Sequence, residues 1–95
     1  MPTKDVDFSK DIRIDPNGDV HVLESPDKYY GLAFLQEQVK GYIECVPCPF
    51  SDEHIGIANE EGLCIGMEPN PKASWMFQRI LVGPILLIHK SKMEE

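Results

Sequence analysis

Ninety-five residues make one domain, with room for a single modest core and not for two. Apolar residues at 42% and charged residues at 26% are ordinary globular values that argue against wholesale disorder, and no apolar run approaches the roughly 20 residues of a membrane helix. The net charge of -7 is uneven: residues 1–61 hold 5 basic and 13 acidic side chains, residues 62–95 hold 4 and 3, and so acidic a first part argues against binding duplex nucleic acid.

Residues 1–10 are polar and unpatterned, which predicts a loose N-terminal tail ahead of a single domain over 11–95. Met1-Pro2-Thr3-Lys4-Asp5 lacks the apolar centre of a secretory signal, so a cytoplasmic protein is expected. Ile12-Arg13-Ile14 and Val20-His21-Val22 alternate apolar and polar about Asp15-Pro16-Asn17-Gly18-Asp19. Asn-Gly between two alternating runs predicts a hairpin, because both residues tolerate positive φ. Ser25-Pro26-Asp27 supplies an N-cap, a proline for the first helical position and an acid suited to the helix dipole. Tyr29, Leu32, Leu35 and Val39 then recur at helical spacing, the last three forming the core stripe, and Gly41 stands where a left-handed cap belongs. Gly31 weakens such a helix by about 1 kcal/mol relative to alanine, a cost that close packing against a neighbour would explain.

Tyr42 to Val46 reads as a strand whose pairing Pro47 and Pro49 end. His54 to Ala58 is a second strand, Asn59-Glu60-Glu61-Gly62 a tight turn, and Leu63-Cys64-Ile65 a short third strand of that meander. Asn70 and Pro71 suit the cap and first position of a helix that turns Ala73, Met76, Phe77 and Ile80 inward. Ile80 to Ile88 is a nearly continuous run of isoleucine, leucine and valine, the signature of a central strand buried on both sides, with a bulge or bend at Gly83-Pro84. The expected fold is α+β, of order β-β-α-β-β-(β)-α-β, with two helices against one mostly antiparallel sheet.

Three cysteines, Cys45, Cys48 and Cys64, cannot all pair with one another. Cys45-Val46-Pro47-Cys48 has the spacing of a metal-binding or redox pair, and His54 and Cys64 would complete a ligand set. A structural zinc site usually adds a second close-spaced pair, and a redox motif opens a helix, whereas Pro47 and Pro49 keep this stretch extended. Buried or half-buried strand thiols are therefore expected, with no metal and no cofactor.

The series Leu35-Gln36, Val39-Lys40-Gly41-Tyr42-Ile43-Glu44, Asn59-Glu60-Glu61-Gly62, Asn70-Pro71-Lys72-Ala73-Ser74 and Val82-Gly83-Pro84-Ile85 resembles a family of small uncharacterised proteins of bacteriophages, large DNA viruses and mobile elements. The resemblance covers roughly residues 30 to 88. The family pattern more often has a second glycine where Lys40 stands. The resemblance implies a virus-encoded accessory factor and names no chemistry.

Three scattered histidines offer no motif for nucleophilic catalysis, and no glycine-rich phosphate loop is present. Glu44, Glu60 and Glu61 could form a carboxylate site, although an outward strand residue and a solvated turn explain them more simply. Binding is better served. A helix opening at Asn70-Pro71 exposes backbone N–H groups, Lys72 adds a charge and Ser74 a hydroxyl. Asn59 and Asn70, which resemble asparagine positions of the family, each present a donor and an acceptor. Trp75 falls off the Ala73, Met76 and Phe77 stripe, which suits either a stacking surface or a place at the core edge. Asn59, Asn70, Lys72, Ser74 and Glu44 are thus the candidate ligand-binding residues. The expected function is a non-enzymatic accessory binding protein, sequestering a small phosphate-bearing ligand to counter host defence, in a homo-oligomer of two or more chains. The alternative is a protein-interaction module whose acidic first half meets a basic host protein, and a carboxylate-dependent enzyme comes third.

Overall fold

The computed structural model describes residues 9–24 and 28–93. Five strands and two helices follow one another as β1 (Ile12–Ile14), β2 (Val20–Val22), α1 (Leu32–Val39), β3 (Ile43–Pro47), β4 (His54–Asn59), α2 (Pro71–Phe77) and β5 (Ile85–His89), with a 3-10 turn over Lys90–Lys92. The sheet order is β2-β1-β5-β4-β3, and every neighbouring pair is antiparallel. The last strand in the chain therefore lies at the centre of the sheet.

Its sequence explains that position. Successive strand residues face opposite sides, and both sides of β5 are covered. Ile85 and Leu87 join α2 through Ala73, Met76 and Phe77, together with Ile12, Ile14, Val46 and Ala58. Leu86 and Ile88 join α1 through Leu35 and Val39, together with Tyr30 and Ile57. Ile85 to Ile88, the first four of the five β5 residues, are 0% exposed, so the unbroken apolar run reflects one helix on each face of the sheet. The α+β architecture and its element order are those expected, apart from the optional strand after β4.

The hairpin forms where Asn17-Gly18 predicts it. Gly18 sits at φ 93°, and its N–H donates to the Asp15 carbonyl at 2.9 Å. Helix α2 likewise opens on the Asn70 cap with Pro71 in its first turn. Three local expectations are corrected. Leu63-Cys64-Ile65 is a turn and not a strand: the Ile65 and Met67 N–H groups bond back to the Glu61 and Gly62 carbonyls, leaving Leu63 and Ile65 exposed. The run Ile80 to Ile88 is a strand only from Ile85. Before it, Val82 bridges Pro69, Gly83 turns at φ 73°, and Ile80 is 78% exposed.

The third correction concerns α1. Its expected start, Ser25-Pro26-Asp27, lies outside the described residues, as do residues 1–8 of the expected tail. The helix itself begins at Leu32, and Tyr29 and Leu32 are exposed while Tyr30, Leu35 and Val39 are buried. Tyr30 precedes the helix, held by its N–H on the Lys92 carbonyl and its hydroxyl on Asp11. Gly31 is the extended N-cap, with open space around a would-be Cβ, so neither a helix-interior cost nor close packing applies to it. At the other end Lys40, not Gly41, takes the left-handed cap at φ 66°. Gly41 is needed for space: a Cβ there would lie 2.7 Å from Asn59 Nδ2.

Candidate functional site

Most of the polar side chains expected to bind a ligand are turned to the fold. Asn70 is 0% exposed; its Nδ2 donates to the Ile14 and Gly83 carbonyls at 2.9 and 2.8 Å, and its Oδ1 accepts the Ala73 N–H at 3.1 Å. It thus ties β1, the bulge before β5 and the start of α2. Asn59 closes α1 in the same way, donating to the Val39 and Lys40 carbonyls while accepting the Glu61 N–H. Ser74 Oγ both donates to the Leu81 carbonyl and accepts the Leu81 N–H, fixing the chain beyond α2. Lys72 Nζ reaches across to the hairpin and donates to the Gly18 carbonyl at 2.7 Å. Glu44 lies 3.6 Å from Arg79 on the surface, a pairing worth little in water.

These five do not converge. Glu44 and Asn59 share a small cleft of about 60 Å³ with Arg79 and Ile80. Asn70 and Ser74 meet through the helix, the Ser74 N–H donating to the Asn70 carbonyl. Lys72 lines a separate groove beside Pro16, Asn17, Gly18 and Trp75. With seven residues, α2 is too short for its N-terminus to make an anion site by dipole alone.

A different place has the makings of a site. An open groove of about 700 Å³ is lined by Phe50, Ser51, His54, Trp75, Met76 and Gln78, with Pro49 at its rim. Local chemistry builds each wall. Strand β3 ends at Pro47, which still pairs with Ile55, and beyond Pro49 the chain turns Phe50 out, where it meets Phe77 edge-on with ring centroids 5.8 Å apart. Ala73, Met76 and Phe77 are the buried face of α2, and Trp75 stands off that face, 46% exposed. Gln78 caps α2 at φ 60°, its Nε2 donating to the Trp75 carbonyl at 3.1 Å. Trp75 also lines the hairpin groove that holds Lys72, so the two concavities share the indole as a wall.

At the groove floor, Ser51 Oγ meets His54 Nδ1 at 2.6 Å while accepting the Glu53 N–H. The His54 ring lies against His89, centroids 4.4 Å apart. His89 in turn donates from its backbone N–H and from Nδ1 to Asp11 Oδ1, at 2.8 and 2.7 Å. Burial pushes the Asp11 carboxyl up, but hydrogen bonds from Tyr30, His89 and Lys92 outweigh it and hold the group below the usual carboxylate value. Tyr30 is driven well above the usual phenol value, by burial and by Asp11. This is not a nucleophile–base–acid triad: the acid orients His89, whereas the hydroxyl contacts His54, and the two rings meet tilted at 42° with no hydrogen bond between them to relay a proton.

The thiols are free, and Cys64 does not join the cleft that Cys45 and Cys48 line. Cys45 and Cys64 are exposed, which corrects the expectation of buried strand cysteines, and only Cys48 is half-buried, its thiol pushed up by burial. Among the described residues, no cluster of three or more His, Cys, Asp or Glu side chains is placed to hold a metal ion. No helix among them is long and apolar enough to cross a membrane.

Phe50, Ser51 and Gln78 were not among the sequence candidates, and His54 was weighed there only as a metal ligand. The Pro47–Pro49 break is the one local signal that marks Phe50, and Trp75 was legible as a residue off the α2 stripe. Residues 10–95 match the family described as a domain of unknown function, DUF3846, and the chain belongs to that family. No curated protein and no solved structure matches it.

Proposed function

We propose that this member of the DUF3846 family is a non-enzymatic accessory protein that holds a small planar ligand in the groove between Phe50 and Trp75. The observation that carries the reading is that two exposed aromatic residues, Phe50 at 42% and Trp75 at 46%, line one concavity beside Ser51, His54 and Gln78. Binding sites for small molecules commonly combine apolar and aromatic walls with a few polar groups. Stacking a ring on such a wall is worth about 1–3 kcal/mol. In the phage or mobile-element setting that the sequence resemblance implies, such a protein in the host cytoplasm would act by sequestering a host signal. Exposed Leu63, Ile65 and Ile80 supply apolar surface for the self-association that goes with this reading.

A phosphate-bearing ligand is the second reading, favoured by the shared wall at Trp75. A ring stacked there would bring attached phosphates toward Lys72 in the hairpin groove.

Thermal-shift titration against nucleobases, nucleosides, nucleotides and cyclic dinucleotides tests both. Saturable stabilisation that Trp75→Ala removes supports the groove, and a further gain from phosphate that Lys72→Met removes supports the second reading. If no planar compound stabilises the protein, a basic host protein bound by the acidic first half takes its place.

A further inference from the structure

Gln78 is an uncommon residue for its backbone. Its φ of 60° lies in the left-handed region that favours glycine and asparagine, and it is one of two non-glycine residues so placed among the described residues. The other, Lys40, caps α1 and lines a different groove. The carboxamide of Gln78 is restrained by one Nε2 hydrogen on the Trp75 backbone carbonyl, at 3.1 Å, and both residues line the groove. A primary carboxamide has two N–H donors and an acceptor oxygen. With one donor committed, Gln78 retains one N–H and Oε1. That pair matches an N–H donor next to a ring-nitrogen acceptor, the edge through which glutamine pairs bidentately with adenine. Among the described residues, the lining of this groove carries no Lys or Arg.

We propose that Gln78 is the specificity residue of the groove, selecting an uncharged planar ring with an adenine-like amino edge while Trp75 and Phe50 hold its faces; this rests on the groove being a ligand site. The amino group supplies the N–H that Oε1 accepts, and the adjacent ring nitrogen accepts the remaining Nε2 hydrogen. Ring stacking by itself is indifferent to that amino group, so selectivity lies with Gln78 and affinity with the aromatic walls.

Two nucleosides that differ only in the exocyclic amino group, adenosine and purine riboside, separate the parts. Calorimetric titration of the wild type should give roughly tenfold tighter binding of adenosine. In Gln78→Gly the two should bind about equally, near the purine riboside affinity. That variant keeps its fold, and its melting temperature should rise, because glycine adopts the left-handed cap without a Cβ penalty. If both nucleosides bind the wild type equally, or if the preference survives in Gln78→Gly, the assignment of Gln78 is overturned while the groove stands as a site. If neither binds and Trp75→Ala alters no titration, the groove reading falls as well.

Discussion

The carboxylate of Asp11 and the ring of His89, 78 residues apart in the chain, meet at 2.7 Å. Asp11 Oδ2 takes the Tyr30 hydroxyl at 2.6 Å and lies 3.2 Å from Lys92 Nζ, so one carboxylate, its side chain 1% exposed, ties the start of β1 to the end of β5 and to the approach to α1. It also steadies the ring against which His54, at the groove floor, is packed.

Stability should therefore carry an acid dependence from Asp11. Its folded value lies below its unfolded one, so its contribution is complete above the ordinary carboxylate value of about 4 and is lost as pH falls through the lower, folded value. Asp11→Asn should cost on the order of 2–3 kcal/mol near neutrality and flatten the acid limb of the stability profile. Urea melts from pH 2 to 7 on both proteins measure this; parallel profiles would show that Asp11 holds nothing together.

The end of α1 separates two uses of glycine. Lys40→Gly should stabilise by about 0.5–1 kcal/mol, raising the melting temperature by several degrees, since Lys40 occupies left-handed backbone. Gly41→Ala should destabilise by about 1–3 kcal/mol, because the new Cβ would press on Asn59 Nδ2, which is pinned to two helix carbonyls. Differential scanning calorimetry of the two variants checks the assignment; the opposite pair of signs would place the left-handed cap at Gly41.

Asn70→Ala should cost about 2–4 kcal/mol, because it removes a cap and strands the carbonyls of Ile14 and Gly83. The folded fraction of the variant should bind planar ligands as the wild type does. A loss under 1 kcal/mol in chemical denaturation, or a ligand affinity that falls in the folded variant, would return Asn70 to the binding residues.

Sedimentation velocity at micromolar concentration should show a dimer or larger closed oligomer. Ile80→Asp, at a site 78% exposed, should dissociate it while leaving the fold intact. A monomeric wild type would remove self-association from the account.

Much of the fold was legible because its signals are local. Asn17-Gly18 specifies a turn by backbone chemistry, Asn70-Pro71 a helix start, and Ile85 to Ile88 a doubly covered strand by unbroken apolarity. What was not legible depends on distant partners. Tyr29 and Tyr30 are equivalent as sequence, and the contacts of Tyr30 with Asp11 and the Lys92 carbonyl determine which is buried. Ile80 to Leu81 reads as strand until Ser74 is seen to take both backbone groups of Leu81. Asparagine looks like a ligand donor wherever it stands, and only a three-dimensional structure shows Asn59 and Asn70 occupied by carbonyls. The groove joins a proline-broken loop to the flank of α2, a meeting that no local pattern records.

Trp75 is the only tryptophan in the chain, so fluorescence excited at the red edge of the tryptophan band, beyond tyrosine absorption, reports on the proposed stacking wall alone. Titration with a set of nucleobases and nucleosides should quench or shift that emission saturably for a ring bearing an amino edge. Phe50→Ala should weaken the same titration by roughly tenfold through the lost second wall. Emission that stays unchanged up to millimolar concentrations of every compound, in a protein that remains folded, would contradict the groove as the functional site.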